Sequence, residues 1–250
     1  GRLLAPRILE AVDYDFDHTI FSFIPNTAEV SFFGLIEGLN EELNTIKTQQ
    51  IAALEDKGDN AAVAQILNQR VRSEKLAVKD EKLRTFIADD GSRNQLVSHI
   101  YDVTYGIVQN EVDTIVLIDD SIVRGTTLRD SIIYILSKLR PKRIIIVSSA
   151  PQIRYPDCYG IDMSRMSEFI AFKATIDLLQ ESGQQSLIDE VYKLCKEEEQ
   201  KPLEKMVNHV KKIYEPFTDE EISARIAKLV TADGIIPQVD VIFQTVESLH

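Results

Sequence analysis

An apolar run that ends abruptly at two carboxylates constrains the fold of this chain more than any other feature. Residues 114–118 are rich in β-branched side chains and leucine without alternation, which is typical of a strand buried on both faces of a parallel sheet. Such sheets bind ligands at the carboxyl ends of their strands. The adjacent Asp119 and Asp120 point to opposite sides of the strand tip there. We therefore expect them to bind two neighbouring hydroxyl groups or to help hold a hard divalent cation.

A short polar loop begins at Ser121 and leads into a helical pattern that ends before Pro141. Gly125 lets the backbone approach a ligand, and Thr126 and Thr127 supply hydroxyl groups and a helix cap. The amides of the first helical turn favour an anion such as phosphate. The unit therefore predicts carboxylates for a diol and amides for a monophosphate, separated by the length of one pentose.

Each of these residues also has an ordinary structural interpretation, because acids end strands and threonines cap helices. For the run as a whole, the functional interpretation is favoured. Two adjacent acids at the end of a buried strand are costly unless a ligand engages them.

Two sequence runs carry a resemblance to a known family. Residues 118–127, Ile-Asp-Asp-Ser-Ile-Val-Arg-Gly-Thr-Thr, resemble the phosphoribosyl pyrophosphate (PRPP) signature of type I phosphoribosyltransferases. Residues 149–163, Ser-Ala-Pro-Gln-Ile-Arg-Tyr-Pro-Asp-Cys-Tyr-Gly-Ile-Asp-Met, are similar to the amidophosphoribosyltransferases within that family. The resemblance implies an α/β fold of the type I phosphoribosyltransferase kind, a parallel sheet flanked by helices.

The resemblance also implies an activity and roles for individual residues. The activity is transfer of the phosphoribosyl group from PRPP to ammonia, which gives 5-phosphoribosylamine for purine biosynthesis. The implied cofactor is Mg²⁺, and the implied metal environment is Thr27, Asp119 and Asp120. The implied catalytic residues are Asp119, Asp120 and Arg84. The implied substrate-binding residues are Asp119 and Asp120 at the ribose, Ser121, Arg124, Gly125, Thr126 and Thr127 at the 5-phosphate, and Thr27 and Arg84 at the pyrophosphate.

The sequence departs from the family pattern at two places. Asn26 stands where the family has an acid, and its ordinary interpretation, like that of Thr27, is a helix cap. Residues 88–109 are expected to form a flap over PRPP, yet Arg93 and His99 are its main basic side chains. These departures favour one alternative, a PRPP sensor that binds without turnover. Two others are an enzyme with a nucleobase acceptor and a scaffold that binds no PRPP.

The domain prediction is a single phosphoribosyltransferase domain over residues 1–250. Residues 40–82 are predicted to form an inserted hairpin of two helices, and residues 180–250 a mainly helical extension with a break at Pro202. Residues 84–87 and 239–243 are predicted strands, and Thr218 begins a capping box. The chain starts at Gly1, so we expect a processed or truncated chain without the family's N-terminal glutaminase domain, which would supply the ammonia.

Composition limits the partners and the compartment. A net charge of -12 argues against a nucleic-acid partner, although a local arginine cluster could still bind a small polyanion. No membrane-span pattern or signal peptide is visible, and we expect a cytoplasmic homo-oligomer without a membrane partner.

Two cysteines make a disulfide framework unexpected. Cys158 corresponds to an iron–sulfur ligand in some family members, so a cluster is conceivable only in a longer parent protein; a buried, unligated cysteine is the favoured interpretation. The local arginine cluster that could bind a small polyanion comprises Arg84, Arg93, Arg124, Arg129 and Arg154.

Overall fold

A five-stranded parallel sheet forms the centre of the structure. The computed structural model describes residues 1–55, 59–79, 101–157 and 163–249. Two short strands, β3 (Ala77–Lys79) and β4 (Tyr101–Val103), form a separate antiparallel pair. Across the central sheet the strands lie in the order β2 (Arg72–Ser73), β1 (Thr19–Phe23), β5 (Thr114–Asp119), β6 (Arg143–Ser148) and β7 (Gln238–Phe243).

The central strand β5 shows why its sequence lacks alternation. Ile115 and Leu117 pack in one hydrophobic cluster, whereas Val116 and Ile118 pack in a second cluster on the other face of the sheet. All four side chains are fully buried. A strand covered by helices on both faces has no solvent-facing position, so apolar residues occupy every place along it.

Helices cover both faces of the sheet, which confirms the predicted α/β fold. On one face lie α1 (Ala5–Ala11) and α2 (Glu29–Ala52), with α3 (Asn60–Asn68) packed against α2. On the other face a π-helical turn (Leu128–Ile132) runs into α4 (Ile133–Ser137), followed by α5 (Ile170–Glu181), α6 (Ser186–Glu198) and α7 (Asp219–Val230).

The helix α2 is longer than the sequence pattern predicts. The periodicity indicates one helix that ends near residue 40 and a second one after it, but a single helix continues through this point to Ala52. No proline interrupts it, and Gly38 lies against the N-terminal segment, where an added Cβ would come within 2.7 Å of the carbonyl oxygen of Arg2. The first leg of the predicted hairpin is therefore the second half of α2.

The last part of the chain contributes to the central sheet. The predicted strand near residues 239–243 is β7, which pairs with β6 in parallel, and α7 packs against it. The capping box at Thr218 is present. The helical stretch predicted from residue 187, with a break at Pro202, ends at Glu198. The Glu198 carboxylate accepts hydrogen bonds from the Val207 amide and from the Lys201 and His209 side chains. These bonds fold the following segment back onto α6.

Some predicted features fall outside the described residues. They include the strand at 84–87 and most of the flap at 88–109, of which only residues 101–109 are described. Of the individual residues, Arg84, Arg93, His99 and Cys158 lie outside the described residues as well. Within the described ranges, no helix combines the length and the apolar character needed to span a membrane.

Candidate functional site

The carboxyl ends of three neighbouring strands meet at one edge of the sheet. Phe23 at the end of β1 is in register with Ile118, and Asp119 at the end of β5 is in register with Ser148 of β6. One residue further on, the amide of Ile24 donates to the carbonyl of Ile118 at 2.9 Å. The loops that follow these strands are thus held side by side, as expected for a ligand site in a parallel sheet.

Asp119 and Asp120 contact different parts of this edge. Asp119 lines a pocket on the side of the sheet that carries α4. The carboxylate of Asp120 accepts a hydrogen bond from Thr27 Oγ1 at 2.8 Å, which links it to the loop between β1 and α2. The two predicted acids and the predicted hydroxyl residue are therefore together in space, although Thr27 and Asp120 are 93 positions apart along the chain.

The Asp119 carboxyl group is tuned by its surroundings. Burial, a hydrogen bond with the Asp120 side chain and the charge of Asp120 raise the pKa of Asp119 from its ordinary 3.8 to about 8. Two acids this close do not ionise independently, because each negative charge disfavours the other. A pKa shift of this kind is common at functional sites, where a ligand later supplies the missing positive charge or hydrogen bonds.

The raised pKa of Asp119 predicts a pH-dependent stability. The folded protein retains a proton that the unfolded chain releases above pH 3.8, so stability falls as the pH rises from about 4 to about 8. The slope is at most about 1.4 kcal/mol per pH unit for one proton. Asp119→Asn removes this slope, which urea unfolding between pH 5 and pH 8, the range set by the shift from 3.8 to about 8, measures directly.

The control for this measurement is Asp233→Asn, which changes an exposed carboxylate in the turn before β7. It keeps the slope of the parent. If the Asp119→Asn variant and the parent show parallel stability curves over this pH range, the assigned pKa is wrong.

The loop after Asp120 surrounds a pocket of about 250 Å³, large enough for a phosphate group with part of a sugar. Gly125 is required at its base: its φ is +72°, and an added Cβ would lie 2.4 Å from Ile170 Cδ1 and 3.0 Å from Val230 Cγ1. Ile170 anchors the loop through a bond from its amide to the Val123 carbonyl at 2.8 Å. The pocket is lined by Asp119 and by residues 121–128.

Thr126 and Thr127 are exposed at the pocket and already lie within the first turn of the helix. The sequence predicts a helix cap here, but the Thr127 side chain makes no capping hydrogen bond. Thr127 already has helical backbone angles, φ -59° and ψ -40°, whereas a capping residue normally has extended ones. The predicted role of these residues in phosphate binding remains a prediction.

The predicted arginine cluster separates in the structure. Arg124 lines the pocket and forms an ion pair with Glu168. Arg129 lines a smaller neighbouring cavity behind the loop. Arg154 lies elsewhere, with its guanidinium 5.0 Å from the ring centre of Tyr214 and in an ion pair with Asp219. Of the described arginines in this cluster, Arg124 therefore contributes to the pocket.

Three further residues at the site carry no prediction from the sequence. Ser31 and Ser149 bridge the loops by hydrogen bonds, and Glu168 neutralises Arg124. Ser149 belongs to the second motif, but neither the serines nor Glu168 carries a local signal of its own. Their role depends on which loops the sheet brings together.

A parallel α/β sheet with two acids and a glycine-containing loop at its carboxyl edge is the arrangement of type I phosphoribosyltransferases. Comparison with curated proteins narrows the class. The chain is 45% identical over 67 residues to the amidophosphoribosyltransferase of Haemophilus influenzae, covering 27% of this chain and 13% of that protein. It is 31% identical over 142 residues to the amidophosphoribosyltransferase of Pyrococcus horikoshii, covering 55% and 30%. These matches confirm the resemblance to amidophosphoribosyltransferases.

The extent of the matches is partial. The chain spans less than a third of the length of either of these two relatives. No model of a protein family matches it. Among solved structures, glutamine PRPP amidotransferase from B. subtilis, complexed with ADP and GMP, superposes with a TM-score of 0.41 and 24% identity, over 66% of this chain and 30% of that one. An allosteric regulatory enzyme of purine biosynthesis gives a TM-score of 0.45 and 23% identity, over 73% and 32%.

Proposed function

We propose that this chain carries the phosphoribosyl-transfer site of an amidophosphoribosyltransferase, which transfers the phosphoribosyl group of PRPP to ammonia in purine biosynthesis. The observation that carries the proposal is that Asp119 and the Gly125 loop line one pocket, while the adjacent Asp120 binds Thr27 of the neighbouring loop. The names of the curated relatives support the choice of reaction within the phosphoribosyltransferase class.

The side chains act on the substrate by binding and orientation. In the proposed complex, Asp119 and Asp120 accept hydrogen bonds from the ribose hydroxyls, while the backbone amides at Gly125 and Thr126 and the hydroxyls of Thr126 and Thr127 bind the 5-phosphate. Thr27, whose hydroxyl donates to Asp120, lies in the loop after β1, where we expect the pyrophosphate to bind. The anomeric carbon is then fixed between these groups, which lowers the barrier to attack by ammonia through orientation.

The oxygen atoms of this site fit Mg²⁺ only when the metal ion binds together with the substrate. Asp119, Asp120 and Thr27 offer hard oxygen atoms, the type that Mg²⁺ prefers. Among the described residues, no cluster of three or more His, Cys, Asp or Glu side chains forms a site for a metal ion. Protein carboxylates alone therefore do not complete an octahedral shell, and phosphate oxygens and water would supply the rest. When bound, the metal neutralises charge on the departing pyrophosphate.

Calorimetric titration of PRPP with Mg²⁺ tests the proposal. We expect the parent chain to bind, and the double variant Asp119→Asn, Asp120→Asn to bind at least about tenfold more weakly, because the carboxyl groups that accept hydrogen bonds from the ribose are replaced by amides. Asp233→Asn, which removes a single carboxylate charge away from the site, serves as the control and retains binding. Absence of binding by the parent, with and without Mg²⁺, overturns the proposal.

A second assay separates the enzyme from the alternative of a PRPP sensor. Ammonia-dependent release of pyrophosphate by the parent chain is expected for the enzyme, with free ammonia in place of glutamine. Asn26, in the loop after β1 where the family has an acid, is the feature that favours the sensor. Binding without pyrophosphate release would identify the chain as a sensor.

A further inference from the structure

A chain of hydroxyl groups joins the loops after the three neighbouring strands. Ser31, in the first turn of α2, donates its hydroxyl hydrogen to Ser149 Oγ at 3.1 Å. Ser149, which follows β6, donates in turn to the backbone carbonyl of Asp120 at 3.1 Å. The side chain of Asp120 is held separately by Thr27. The chain of bonds from Ser31 through Ser149, which we call the relay, thus fixes the backbone of Asp120. The hydroxyl of Thr27 fixes its carboxylate.

The relay has a defined direction. A hydroxyl group has one hydrogen to donate, so Ser149 uses its hydrogen on Asp120 and accepts the hydrogen of Ser31. The backbone amide of Ser149 also donates to the carbonyl of Asp119 at 2.9 Å. Ser149 therefore contacts the carbonyl groups of both acids. Ser31 and Ser149 are only partly exposed, which limits the water available to replace these bonds.

The carbonyl of Asp120 matters because it belongs to the peptide unit that begins the pocket loop. The next residue, Ser121, is the first loop residue that lines the pocket. A rotation of this peptide unit moves the start of the loop and the Asp120 side chain together. A shift of about 1 Å in groups that orient a substrate is sufficient to weaken their action considerably.

We propose that Ser149, supported by Ser31, is a positioning residue that fixes Asp120 and the start of the pocket loop in the geometry needed to bind the ribose phosphate. This inference rests on the proposed function of the same pocket. Ser149 acts through Asp120 and not by contact with the substrate. Because the two serines act in series, removal of Ser149 also removes the effect of Ser31.

Calorimetric titration of PRPP with Mg²⁺ into single and double variants tests this. Ser149→Ala weakens PRPP binding about fivefold, and Ser31→Ala weakens it about twofold. Ser149→Thr, which retains a hydroxyl group, restores binding to within about twofold of the parent. The double variant Ser31→Ala, Ser149→Ala binds as the Ser149→Ala variant does, since the relay is already broken.

Ser182→Ala is the matched control, because its hydroxyl also donates to a backbone carbonyl, that of Leu178 at 2.8 Å, but at the end of α5. It leaves PRPP binding unchanged. Unaltered affinity in Ser149→Ala, or multiplicative losses in the double variant, overturns the inference while the parent still binds. Failure of the parent to bind overturns the proposed function, and the inference with it. A loss that Ser149→Thr does not restore assigns Ser149 a packing role and also overturns the inference.

Discussion

Gly125→Ala is expected to destabilise the protein by about 2–4 kcal/mol and to weaken PRPP binding about 100-fold. One part of the cost is the backbone, because φ of +72° is unfavourable for any residue with a Cβ. The other part is the collision of the new methyl group with Ile170 Cδ1, only 2.4 Å away. The backbone strain is relieved only if the loop, which forms the pocket, moves. The collision can also be relieved by a shift of the buried Ile170 side chain, at a cost in packing. Urea unfolding and PRPP titration measure the two effects.

Two further variants separate these causes. Gly183→Ala changes a glycine with a φ of +70° and nothing within 4 Å of the added Cβ, so it carries only the backbone cost of about 1 kcal/mol. Gly125→Ala combined with Ile170→Val removes the colliding Cδ1 atom and recovers part of the stability. Equal losses in Gly125→Ala and Gly183→Ala would show that crowding at the pocket loop is unimportant.

Asp113→Asn is expected to destabilise the protein by about 3–5 kcal/mol. The Asp113 carboxylate is fully buried and accepts two hydrogen bonds from Arg72, at 2.8 and 3.0 Å, and one from the Gln109 amide at 2.8 Å. The same guanidinium donates to the carbonyl of Asp17 at 2.7 Å. The variant leaves the charge of Arg72 without its counterion. It also breaks the contact that joins the beginnings of β1, β2 and β5.

The position of this ion pair predicts a loss of stability without a loss of function. It lies at the opposite edge of the sheet from Asp119, so the folded variant binds PRPP with the affinity of the parent. Glu41→Gln is the control: Glu41 also forms two hydrogen bonds with an arginine, Arg2, but both side chains are at least half exposed, and the cost is below about 1 kcal/mol. Similar losses in the two variants would contradict the importance of burial.

The sequence predicted the elements whose signal is local. The buried strand before Asp119, the strand near residues 239–243 and the capping box at Thr218 are all present. Helix limits were less predictable. Helix α2 continues past residue 40, with Gly38 packed against the N-terminal segment, and α6 ends at Glu198, just before the break predicted at Pro202.

The candidate site likewise combines residues that the sequence predicts with residues that only the tertiary structure brings to it. Two adjacent acids followed by a glycine and two threonines indicate a phosphate and ribose site, because each residue type has its own chemistry and the spacing is short. The sequence therefore predicts the kind of site and its central residues, Asp119 to Thr127. Which other groups reach them was decided by the order of the strands. Parallel pairing of β1, β5 and β6 brings Thr27, Ser31 and Ser149 to Asp120, and α5 places Ile170 behind Gly125. Such contacts leave no local pattern, since they join residues that are distant along the chain and adjacent only once the sheet has formed.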